Sequence, residues 1–381
     1  MLNQPARQVL TWLTFSIWAI AQDPLQRGLE ALQRNDWKTA REALEPVSRS
    51  NPDDPRVWIL LARANQKLGL APEAESAASR AAKFDTSFTR QGLAIYHAEG
   101  GRVEEAAKWA DRASAALSSG EHASLRNLIG KLAGSTTELK RAIELNPYQE
   151  AYRADLVQLL LTRQNFSYAV MELEASRKIF AASAQLELML GVAYYGLRRF
   201  PDAADSFLRV IQIDPEIEQP YVFLNRMFAQ ATHRLPEVET AFTIFAARHP
   251  QSALGPFLKA RAIIIQLPPS SPSPRAEEAE KLLRASLARD SANPDVHAEL
   301  AYLLERKGDF ANAELSLAKA AELRPSDSVF QYRLSRIYDR LGRADAAAQA
   351  RARHAELVER ELEAMDRQGA DKHTAAPAAI K

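Results

Sequence analysis

Along most of the chain apolar residues return at helical spacing, and short polar turns separate the stretches. A half-buried strand would alternate with period two; this pattern instead marks one face of an α-helix. In Ala184–Ile217, Leu190, Gly191 and Tyr194 share a face of one predicted helix. Leu197 and Phe200 frame a turn, and Phe207 and Val210 continue the apolar stripe on a second helix. Gly191 and Ala203 lack bulk, so the two helices can approach closely. Asp214-Pro215 ends the second helix, because proline lacks a donor and disfavours helix in the residue before it. A single hairpin of this kind cannot bury its apolar stripe, whereas stacked hairpins can.

The small residue on the second helix sets a register. Ala40 to Ala74, Ala169 to Ala203, Ala279 to Ala313 and Ala313 to Ala347 are each separated by 34 residues, and Ala74 to Ala106 by 32. Longer intervals, Ala106 to Ala169 and Ala203 to Ala279, return to the same register after irregular units. The pattern predicts an all-α solenoid of ten units, at about 23–54, 55–86, 87–120, 121–149, 150–183, 184–217, 218–252, 253–293, 294–327 and 328–361. Three units depart from it. The unit 121–149 is short and places Ser135 or Thr136 where the alanine belongs. The unit 218–252 has Val238 near that place, and 253–293 carries LPPSSPSP at 267–274 between its helices. That proline-serine stretch reads as a loop, a tolerated insertion or a docking segment. The second helix of the last unit runs on to Gln368 with a charged exposed side, suited to capping an open stack. Residues 369–381 are small and polar and read as a disordered tail.

At the other end, Val9–Ile20 is apolar but too short to span a bilayer, and it follows Arg7 and the α-amino group. It closes in Ala19-Ile20-Ala21, the small-x-small pattern of a signal peptidase site, so 1–21 is expected to be a secretion signal cleaved after Ala21. Asp23 is a suitable N-cap and Pro24 suits the first helical position, so the fold is expected to begin there. The alternatives are an uncleaved anchor at 9–21 and a first helix packed on the stack.

The units resemble the tetratricopeptide repeat family. The family pattern asks for Trp, Leu, Gly and Tyr on the first helix, Ala, Phe and Ala on the second, and a closing Pro. Leu190, Gly191, Tyr194, Ala203, Phe207 and Pro215 carry it in one unit. Trp58, Leu61, Ala62, Ala74 and Ala81 carry it in another, and Leu300, Ala301, Gly308, Phe310, Ala313, Ala320 and Pro325 in a third. The resemblance implies a right-handed superhelix whose first helices line a concave groove that holds a protein or peptide partner. In that register the groove positions are Arg63, Gln66, Gln158, Tyr195, Arg226, Arg261, Tyr302, Tyr332 and Arg336. Arginine and tyrosine often anchor interfaces. The family's carboxylate-clamp pattern of Lys and Asn is not met, since Ile59 and Arg63 stand at the relevant sites.

Composition agrees with a helical body: 381 residues, 46% hydrophobic, 14 glycines and no cysteine. The absence of cysteine excludes disulfides, thiolate metal sites and cysteine nucleophiles. A formal charge of +1 gives no broad attraction to nucleic acid or an anionic membrane. The Arg-rich pieces RARH (351–354) and LRRF (197–200) are interleaved with acids or turn residues and read as solvated faces. Of the seven histidines, His97, His122, His233, His249, His297, His354 and His373, none pairs at metal-ligand spacing. His97 and His297 fall at core-facing positions and the rest at helix ends or in solvent. The glycine pair in EGGRVEE (99–105) belongs to a turn rather than a phosphate loop, and no nucleophile elbow occurs. These readings point to a non-enzymatic scaffold or assembly factor of a bacterial envelope, periplasmic or secreted, with no cofactor, metal, lipid or nucleic acid. A rival is an accessory protein or enzyme acting on envelope polysaccharide, which would use groove carboxylates such as Asp295, Glu305 and Asp339.

Overall fold

The computed structural model describes residues 24–230, 232–268 and 273–374. The apolar opening run, the expected cleavage after Ala21 and residues 375–381 lie outside the described residues. The chain divides into two compact units that meet in sequence between Arg199 and Phe200. Among the described residues there are twenty α-helices and no strand.

The first unit contains α1 (Pro24–Gln33), α2 (Trp37–Ser50), α3 (Pro55–Lys67), α4 (Ala71–Ala81), α5 (Ser87–Glu99) and α6 (Val103–Ser114). It continues with α7 (Ser119–Ala133), α8 (Thr136–Leu145), α9 (Glu150–Thr162), α10 (Phe166–Arg177) and α11 (Ala184–Gly196). The second contains α12 (Phe200–Ile213), α13 (Gln219–Arg226), α14 (Leu235–Arg248), α15 (Leu254–Ile265) and α16 (Pro274–Arg289). It ends with α17 (Pro294–Lys307), α18 (Phe310–Leu323), α19 (Ser328–Arg340) and α20 (Ala344–Thr374). Within each unit consecutive helices pair as hairpins, and each hairpin stacks on the next.

Side chains fix where these helices start. Asp36, Thr86, Ser183 and Asp309 accept hydrogen bonds from backbone N–H groups of the turns they precede. Ser118 and Glu121 form a reciprocal capping box at α7. Pro55 and Pro294 open helices at the position where a missing N–H costs nothing. So does Pro274, capped by Ser273, which moves the last residue of the predicted proline-serine loop into α16.

The turn inside the hairpins is also uniform. A residue in the left-handed region stands two positions before the second helix at Asn35, Gly69, Gly101, Gly134, Gln164, Arg198, Gly308 and Gly342. Among the described residues the hairpin α13–α14 lacks it. It instead shortens α13 to eight residues and inserts 3₁₀ turns at Phe228–Gln230 and Thr232–Arg234.

The alanine register sits at the centre of the packing. Ala40, Ala106, Ala169, Ala203, Ala279, Ala313 and Ala347 are completely buried, and Ala74 nearly so. Val238 takes the same place in α14 and is completely buried. In the hairpin α7–α8 the expected Ser135 or Thr136 does not fill it. Ser135 caps α8, and the completely buried residue at that place is Leu139. Gly130 explains the exchange, since a Cβ there would lie 2.6 Å from Leu139 Cγ and 2.9 Å from its backbone nitrogen. Bulk has moved from one helix to its partner.

The last helix passes through Gly369, where the tail was expected to begin, and reaches Thr374, the last described residue. One glycine costs a helix only about 1 kcal/mol, too little to end one this long.

Candidate functional site

The first helices of successive hairpins lie against one another, α3 on α5, α5 on α7, α7 on α9, and α9 on α11 in the first unit. In the second unit α13 meets α15 in the same way. The predicted groove residues lie on these helices, and the structure divides them into two classes.

Three are engaged in ties between neighbouring first helices. Arg63 on α3 makes a bidentate ion pair with Glu99 on α5, at 2.8 and 2.7 Å, with side-chain exposures of 14% and 7%. Gln66 donates to the carbonyl of Tyr96 at 3.2 Å and accepts from Arg102 at 3.1 Å. Arg261 on α15 donates to the Asn225 side chain on α13 at 3.2 Å and forms an ion pair with Glu299 on α17. It therefore links three first helices. These guanidinium forks match planar acceptors.

The others keep more open faces. Gln158, Arg226, Tyr332 and Arg336 are exposed, and Tyr195 is half-buried. The Arg226 and Arg336 side chains make no hydrogen bond or ion pair among the described residues. Tyr332 follows exposed Val329 on α19, and its ring lies 5.5 Å from that of His354. Tyr302 is 36% exposed and accepts from Arg306, whose guanidinium stands over its ring.

Gln158 also lines a depression between α9 and α11, with Leu161, Thr162, Gln185, Leu188, Met189 and Val192. Leu161, Leu188, Met189 and Val192 are half-buried, while Gln158, Thr162 and Gln185 are exposed at the rim. No charged side chain lines it. Tyr195 follows Val192 by three residues on the same face of α11. Of the sequence-selected residues, Gln158 alone is among those lining the depression, with Tyr195 one turn beyond Val192. Leu188, Met189 and Val192 were missed, although helical spacing back from Tyr195 marks them. Glu99 and Glu299 were missed because nothing local pairs them with arginines more than thirty positions away.

The three acids on which polysaccharide chemistry would depend are each bound to an arginine. Asp295 meets Arg324 at 2.8 Å, Glu305 meets Arg333 at 2.5 Å, and Asp339 meets Arg351 at 2.9 Å. Among the described residues no group of three His, Asp or Glu side chains could hold a metal ion, and no helix is long and apolar enough to cross a membrane.

His97 is half-buried as expected, and so is His122, which stands in the first turn of α7, a helix end as expected. Burial, and then the positive charge of Arg102, push His97 below its ordinary 6.5. Burial and Arg126 do the same to His122. Burial works to raise the Asp54 carboxyl, but hydrogen bonds from the Arg56 side chain and backbone outweigh it and hold the group below its ordinary 3.8.

The sequence model of the tetratricopeptide repeat family matches residues 25–87, 154–216 and 275–328. Those three stretches are similar to tetratricopeptide repeats. The comparison with curated proteins gives no match. Among solved structures the chain is similar to a thermophilic TPR protein of Thermus thermophilus, at 21% identity over 49% of this chain and 98% of that one, TM-score 0.40. It is also similar to PilW, a type IV pilus biogenesis factor, at 20% identity over 52% and 89% of the two chains, TM-score 0.44. Yeast Tom70 follows at 14% identity over 92% and 95%, TM-score 0.41. At these identities the likeness concerns the fold alone.

Proposed function

We propose that this protein holds a protein or peptide partner on the first-helix face of its hairpins, as a scaffold or assembly factor of a bacterial cell envelope. The observation that carries the reading is the uncharged depression between α9 and α11. Its floor of Leu161, Leu188, Met189 and Val192 offers apolar contact, and the amides of Gln158 and Gln185 offer donors and acceptors to an extended backbone. Packed helices hold these groups in place, so the scaffold loses little ordering entropy on binding. The envelope assignment rests on the apolar run Val9–Ile20 and the small-x-small site ending at Ala21.

A photo-crosslinking residue at Gln158 or Gln185, with one at Met171 on α10 as control, tests the binding face in expressing cells. Met171 is 53% exposed but lies on a second helix. One discrete adduct from positions 158 and 185, absent from 171, is the expected result. No adduct from either, or the same adduct from 171, would overturn the reading. The intact mass from the soluble envelope fraction tests export separately: a chain starting at Gln22 supports it, and a chain retaining Met1 in the cytosol opposes it. Met1 retained in the membrane fraction would point to an anchor at 9–21.

A further inference from the structure

We propose that the first unit contains an acid-sensitive joint. It is built from two arginine–histidine hydrogen bonds, Arg102 to His97 and Arg126 to His122, that exist only while both rings are neutral.

In each pair the arginine Nε–H donates to a ring nitrogen: to His97 Nδ1 at 2.9 Å and to His122 Nε2 at 3.1 Å. A guanidinium has no acceptor and keeps its proton, so each ring must present a lone pair on that nitrogen. Protonation turns the lone pair into an N–H aimed at another N–H and adds a positive charge beside an arginine.

Most of the surrounding acids are already taken. Glu75 and Glu105 face His97, but Glu75 is already bound by Arg102 at 3.1 Å and by the Tyr96 hydroxyl at 3.1 Å. Asp111 from α6, with Glu138 and Arg141 from α8, faces His122. Both of those acids are bound by Arg126, to Glu138 at 2.6 Å. On the α9 side the nearby acid, Asp155, is taken by Asn127 and Lys131. Each donating arginine therefore also neutralises acids that would welcome the histidine's proton: Arg102 holds Glu75, and Arg126 holds Asp111 and Glu138.

The two arginines are connectors. Arg102 reaches Gln66 on α3, Glu75 on α4 and His97 on α5, and it stacks over Tyr96. Arg126, 2% exposed, joins α6 and α8 to α7. Disturbing both loosens α3 to α8. The depressed folded-state values of His97 and His122 give the direction: stability is complete above 6.5 and falls as pH drops below it.

The second unit lacks this arrangement among its described residues. His297 and His354 donate to the carbonyls of Ser291 and Ser328 at 3.0 and 2.9 Å, bonds that survive protonation. His233 and His249 lie 3.7 and 3.6 Å from Asp205 and Glu216, which a protonated ring would attract.

Amide exchange of the full chain at pH 7.5 and 5.5, corrected for intrinsic rates, tests the joint. Linkage sets a ceiling of about tenfold faster opening per histidine at pH 5.5 when the open-state value is 6.5. Several-fold deprotection of peptides from α5 to α8, with those from α17 to α19 unchanged, is expected. In H97N/H122Q, amide oxygens replace the two accepting nitrogens without titrating, and the acid response should vanish. An unchanged response in that variant, or none in the wild type, would overturn the proposal. Should the variant not fold, titration of the wild-type histidine ring protons decides: a value at or above 6.5 for both rings refutes the joint, and lower values uphold it.

Discussion

In the first unit Arg126 and Glu138, both more than nine-tenths buried, meet at 2.6 Å. In the second unit Phe228 and Phe242, both completely buried, meet with ring centroids 5.5 Å apart. The contrast is general. Buried polar side chains of the first unit include Asp54, Arg126, Glu138 and Glu187, whereas those described in the second are serines alone. The second unit instead clusters rings: Phe207 on Phe223 at 4.8 Å and Tyr221 on Phe245 at 4.6 Å. One repeat plan thus closes with two chemistries. Buried charge imposes exact partners and fails when one is removed, while aromatic packing tolerates charge changes and fails on loss of volume.

The largest effects should separate the units. Arg126→Ala leaves Glu138 and Asp111 unpaired and should cost about 3–5 kcal/mol, seen as lost exchange protection in α6 to α8. Phe242→Ala should cost a similar ~3–5 kcal/mol, confined to the second unit. The two differ on repair: Arg126→Met with Glu138→Leu should recover most of the loss, because a packed apolar pair replaces a buried ion pair at little cost. Failure of that repair would mean that the charges do more than hold the junction.

A smaller effect tests the exchanged bulk at α7–α8. Gly130→Ala drives a methyl into Leu139 and should destabilise the first unit by about 1–3 kcal/mol, read by thermal unfolding. Leu139→Ala leaves a cavity. Together, the new methyl at 130 enters the space vacated at 139, and the pair should cost clearly less than the sum of the single changes.

This site shows where the sequence was readable and where it was not. The alanine at a fixed interval marks a helix crossing, and burial at Ala40, Ala203 and Ala313 follows from it. Leu139 defeated that reading because the compensating Gly130 lies on the other helix, and only the packed pair makes sense of either. Glycines at 69, 101, 308 and 342 announced their left-handed turns, but Gln164 and Arg198 adopt the same conformation with no sign in their residue type. The groove list was legible in position but not in state. Periodicity placed Arg63 and Arg261 on first helices, while their acidic partners come from the next hairpin. Pairing across repeats depends on three-dimensional stacking, which no local pattern encodes.

The central claim is that the first-helix face is divided between ties that hold the stack and open groups left for a partner. Alanine substitution along that face, each variant read by local amide-exchange stability, tests it most directly. Arg63, Gln66 and Arg261 should each lower the stability of their own helices by about 1 kcal/mol or more, since each leaves a partly buried partner unsatisfied. Gln158, Arg226, Tyr332 and Arg336 should stay within about 0.5 kcal/mol of the unmodified protein. A uniform response across all seven positions would contradict the division.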